Sequence, residues 1–165
     1  MAKPYKYAPL ICTILSIIAV IGIIVGLLLS NPLIIIFLLL PTVVYEVWRT
    51  QGESTKWASW ILLIVLIAEV ILIIFGISFD LAGYLGEGEK YVAGHRVPLG
   101  DIKVVGPIIM AVLGIILIAR TRGRYTKWLA VIIIVSAFAI VYTLDYTIFS
   151  RMFGIAVEEG LNKIE

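Results

Sequence analysis

APLICTILSIIAVIGIIVGLLLS, residues 8–30, decides the fold class of this chain. It runs for 23 residues without a charge. A helix needs about 20 apolar residues to cross the hydrocarbon core of a bilayer. Lys3 and Lys6 precede the run as they would in a signal peptide. The run is too long for a signal h-region, however, and no small-x-small cleavage site follows it. It reads as a first transmembrane helix that is retained. Gly22 and Gly26 give it a GxxxG face suited to close helix packing.

Four more spans follow outward from this one. Ser30, Asn31 and Pro32 form a turn signal in which Asn31 can cap a helix and Pro32 suits its first position. The second span covers 32–48, with Pro41 expected to kink it because proline lacks a backbone donor. The others cover 57–79, 103–119 and 128–149. The expected fold is an all-α, polytopic transmembrane helix bundle of five spans, with residues 1–165 forming a single integral membrane domain. One long connection, 80–102, carries Pro98 and several glycines. In the tail, Phe153, Val157, Leu161 and Ile164 can line one face of a short interfacial helix.

Composition agrees. Hydrophobic residues make up 62% of the 165 and charged residues 15%, against roughly 45–50% and 25% in an average soluble domain. Mean hydropathy is +1.11. A net charge of +2 is too small to imply nucleic-acid binding. The one cysteine, Cys12, cannot form an internal disulfide, and no Cys/His cluster suggests a metal or other cofactor.

The chain repeats at an offset of 71. Residues 49–57 read RTQGESTKW and residues 120–128 read RTRGRYTKW. The matched pairs are Arg49/Arg120, Thr50/Thr121, Gly52/Gly123, Thr55/Thr126, Lys56/Lys127 and Trp57/Trp128. Each copy reads as the turn of a helical hairpin, in repeats of about 31–79 and 102–150. Arg49 and Arg120 suit the carbonyl end of the incoming helix. Gly52 and Gly123 are expected to stop it in the left-handed conformation. Thr55 and Thr126 are expected to cap the next helix, with Trp57 and Trp128 at the membrane interface. The motif is fully accounted for by structure. Its functional alternative is a pair of docking loops for a partner or an anionic headgroup.

Tandem hairpins enter the bilayer in the same direction, so the repeat is parallel. The basic residues Lys3, Lys6, Arg49, Lys56, Arg120, Arg122, Arg124 and Lys127 then share one side, which the positive-inside rule makes cytoplasmic. This orientation places the chain in the cell membrane with its N-terminus inside and its C-terminus outside. In the outward 80–102 loop, Asp80, Glu87, Glu89 and Asp101 outnumber Lys90 and Arg96.

Glu69, near the middle of the third span, is the sharpest chemical signal. A charge at that depth costs a few kcal/mol. Its carboxyl can keep its proton, bond to a bundle hydroxyl, or meet a cation of another subunit. A functional carboxylate and a packing contact are equally consistent with the sequence. Asp145 is the second intramembrane carboxylate, about one turn from the outer end of the fifth span among Tyr142, Thr143, Tyr146 and Thr147. It fits a polar helix end or an outward vestibule. Glu46 and Arg49 are spaced to pair along one helix face. His95, the only histidine, belongs to the Gly-rich loop. No Walker loop, GxSxG or HExxH motif is present. The expectation is a non-enzymatic small subunit of a larger membrane assembly, with ion or proton translocation as the candidate role of that assembly. Its partners are then the lipid bilayer and other membrane subunits or further copies of itself. The alternative is a self-contained homo-oligomeric transporter or channel.

Overall fold

The computed structural model describes residues 7–50, 52–77, 90–92, 95–97, 102–121 and 123–146. They form α1 (Ala8–Leu28), α2 (Pro32–Arg49), α3 (Glu53–Ile74), α4 (Ile102–Arg120) and α5 (Arg124–Leu144). Each helix is long and apolar enough to span a membrane. A small antiparallel ribbon, β1 (Lys90–Val92) and β2 (His95–Val97), pairs Tyr91 with Arg96 between α3 and α4. The interfacial helix expected beyond residue 150 lies outside the described residues, as do Lys3, Lys6, Asp80, Glu87, Glu89, Asp101 and Arg122.

Local chemistry sets the helix ends. The α1–α2 turn places Ser30 at φ 49°, where Asn31 N–H reaches Gly26 O at 2.9 Å and Ser30 N–H reaches Leu27 O at 3.3 Å. These two bonds close a Schellman motif. Asn31 Oδ1 then accepts from Leu33 N–H at 3.0 Å, so the expected cap forms with Pro32 behind it. The same motif ends α3, with Gly76 at φ +62° and Ile77 N–H on Leu72 O at 3.0 Å. The helix therefore stops at Ile74, short of the span end expected at 79. α2 stays continuous through Pro41.

The helices pack as a closed ring in which α2 meets α3, α3 meets α4, α4 meets α5 and α5 returns to α2. α1 lies outside this ring, against both α2 and α5. Glycine permits the close approaches. A Cβ on Gly22 would stand 2.6 Å from Leu38 Cβ, and one on Gly26 would collide with Ile35. The GxxxG face of α1 is therefore used within the chain, against α2. Gly114 plays the same part between α4 and α5, where a Cβ would lie 2.6 Å from Ile134 Cγ1.

The ring's interior is apolar. Leu39, Leu62, Leu66, Met110, Leu117, Ile133 and Ile140 are all fully buried. The outside is apolar too, with Ile17, Ile24, Ile64, Ile71, Val112, Ile115 and Phe138 exposed. Helices apolar on every side suit lipid rather than water. Several positions 71 apart are both buried, Leu39 with Met110, Leu62 with Ile133, Leu66 with Ala137, Thr55 with Thr126 and Glu69 with Ile140, whereas Arg49 is buried and Arg120 exposed.

Candidate functional site

Glu69 is only 1% exposed and faces the bundle, not lipid. Its carboxyl lies against the backbone of Gly106 on α4, in space that a Cβ on that glycine would occupy. Five residues separate it from the end of α3 at Ile74, about 7.5 Å along the axis. The shorter helix thus moves Glu69 from the expected mid-span depth toward the end opposite the two basic turns.

A second polar cluster occupies the other end, where α1 begins, α2 ends and α5 begins. Glu46 has no exposed surface, and Arg49 is 5% exposed. The local ion pair expected from their spacing does not form. Thr50 Oγ1 donates to Glu46 Oε1 at 3.1 Å, while Arg49 donates through Nη1 to Cys12 Sγ at 3.4 Å. The guanidinium also lies 5.4 Å from the Tyr125 ring centroid and 6.0 Å from that of Tyr45. Tertiary contacts thus join Arg49 to α1 and α5 as well as to Tyr45 on its own helix. Glu46 Oε2, Arg49 Nε and the buried hydroxyl of Thr42 have no hydrogen-bond partner.

The two basic turns are built alike. Thr55 Oγ1 donates to Gly52 O at 3.1 Å, and Thr126 Oγ1 donates to Gly123 O at 2.9 Å. Lys56 N–H and Lys127 N–H return to the same carbonyls at 2.7 and 3.1 Å. Gly52 and Gly123, at φ 165° and −77°, are extended N-cap residues. This corrects two expectations: neither glycine is left-handed, and the threonines sit inside the helix, bonded back to the cap carbonyl. Arg49 and Arg120 do end their helices. Trp57 and Trp128 are exposed, and Trp128 Nε1 donates to Ser16 Oγ at 2.9 Å.

Asp145 is the C-cap residue of α5, so it ends the helix and does not lie a turn within it. Beside it, Tyr142 and Tyr146 stack edge to face at 5.2 Å. A cavity of about 480 Å³ at this end is lined by Leu27, Leu28, Phe138, Ala139 and Tyr142, without Asp145.

Glu46 and Glu69 lie about 20 Å apart along the bundle axis at 1.5 Å per residue. Leu62, Leu66, Met110 and Ile133 fill the core between. The hydroxyls of Ser59 and Ser136 are also buried, but they donate to carbonyls of their own helices at 3.0 and 2.8 Å. Among the described residues no group of three or more His, Cys, Asp or Glu could hold a metal ion. The sequence alone singled out Glu69, but it offered no sign of Gly106 as the residue that accommodates it. It also gave no sign of the Cys12–Arg49–Tyr125 contact. Comparison with family models, with curated proteins and with solved structures returned no match.

Proposed function

We propose that this chain is a non-enzymatic, multi-pass subunit of a larger membrane assembly, built from a duplicated two-helix hairpin. The observation that carries the reading is the arrangement of α1. It covers the α2/α5 seam of the ring. Under the duplication, α2 corresponds to α4 and α3 to α5, so the counterpart of that seam is the one between α3 and α4. No sixth helix among the described residues covers it, and Ile64, Ile71, Val112 and Ile115 are exposed on its two helices. A membrane helix of another subunit fits that position. The alike turns and the shared burial at an offset of 71 support the duplication.

The apolar filling between Glu46 and Glu69 favours a subunit over a self-contained channel. A solute path needs several convergent polar groups. Proton or ion movement by such an assembly would draw on each buried carboxylate separately, at its own end of the bundle. The basic turns support an orientation with both hairpin tips and the N-terminus on the cytoplasmic side of the cell membrane.

Mild detergent extraction from the source membrane tests the proposal. The expected result is a species well above the 18.2 kDa chain mass that contains other membrane chains. A species holding only this chain, at one copy or a small multiple, overturns it in favour of the self-contained reading.

A further inference from the structure

We propose that a cleft between the first turns of α1 and α5 binds the phosphate headgroup of an anionic phospholipid. The cleft has a volume of about 350 Å³ and is lined by Pro9, Cys12, Thr13, Arg124, Tyr125 and Trp128. Its position at two helix starts is the depth at which a transmembrane helix meets headgroups.

Four features fit one anionic, amphiphilic occupant. Arg124 supplies an exposed guanidinium, whose planar fork matches phosphate oxygens. Arg49 stands behind the inner wall. It bonds Cys12 and lies over Tyr125, both of which line the cleft, and its buried Nε has no hydrogen-bond partner. The α5 start carries no side-chain cap, so its first amides remain available to an acceptor at the positive end of the helix dipole. Trp128 gives the cleft a fixed apolar wall, because its indole N–H is held by Ser16. Glu46 does not line the cleft, and its Oε1 is engaged by Thr50. A soluble anion would use the cations alone. A lipid also uses the tryptophan and the apolar flank of α1, which continues from Leu10 to Ile14 and Ile17 on the exposed side.

The full chain in detergent is titrated with phosphatidylglycerol, phosphatidylcholine or inorganic phosphate, and bound lipid is counted by native mass spectrometry. Phosphatidylglycerol is expected to be retained in preference to phosphatidylcholine. Arg124→Gln is expected to weaken that retention about tenfold, as loss of a charge-assisted hydrogen bond does. Lys56→Gln, on the other basic turn and outside the cleft, is expected to leave it unchanged. Both side chains are exposed, so lipid-free thermal unfolding should match the parent chain. Equal weakening by the two substitutions would reduce the effect to general surface charge and overturn the proposal. Equal retention of both lipids, or inorganic phosphate binding as tightly as phosphatidylglycerol, would overturn it as well.

Discussion

The Glu69 carboxyl fills the space that a side chain at residue 106 would need, and residue 106 is glycine. The two residues lie on different helices and read as unrelated along the chain. Together they explain how α3 and α4 pack closely with an acid buried between them.

Gly106→Ala should therefore destabilise the bundle by about 1–3 kcal/mol, the usual cost of overpacking. Glu69→Ala removes the atoms in the way, so the two substitutions together should cost less than the sum of each alone. Unfolding titrations of the four proteins in mixed micelles give the coupling directly. A coupling of at least about 1 kcal/mol is expected for residues in contact. Additive effects would show that Glu69 does not occupy this position.

Gly26→Ala should destabilise through its collision with Ile35, by about 1–3 kcal/mol. In an Ile35→Ala background, which lacks both Cγ1 and Cδ1, the same substitution should cost less. Oligomeric state should not change, because this GxxxG face is used between α1 and α2. A variant that dissociates an oligomer while leaving the monomer's unfolding unchanged would place the glycines at a subunit contact instead.

Thr55→Val and Thr126→Val keep side-chain volume and remove the hydroxyl bond to the N-cap carbonyl. Each should lower stability by about 1 kcal/mol, the net worth of one hydrogen bond. Similar losses at the two sites fit turns built on one plan. A loss at only one would show that the other bond contributes nothing to the fold.

The legible parts of this structure were those that local chemistry determines. Apolar runs of helical length predicted all five spans, and Asn31 with Pro32 predicted the start of α2. Arg49 and Arg120 end their helices as the dipole argument requires. What depends on neighbouring helices could not be read. The spacing of Glu46 and Arg49 favours a pair, yet Cys12 and Tyr125, far away in sequence, draw the arginine off. Gly52 and Gly123 match the composition of a left-handed stop, but the chain leaves α2 extended at Thr50, and each glycine is the extended N-cap of the next helix. The end of α3 at Gly76 was missed because the apolar pattern continues past the turn. That error is what placed Glu69 too near mid-span.

Cys12 is the chain's only thiol and is 2% exposed. Reaction with a small maleimide should be slow in the folded protein and become fast only on unfolding. Rapid modification of the folded chain would contradict the packing of α1 against Arg49.

Side-specific labelling tests the central claim, a parallel five-span bundle. Cys12→Ser provides a thiol-free chain, into which a single cysteine is introduced at Gly52 or at Gly123. In sealed vesicles of known orientation, an impermeant maleimide should reach both positions from the same side, the cytoplasmic one. Labelling of the two positions from opposite sides would contradict the parallel hairpins, and with them the account of the fold in the membrane.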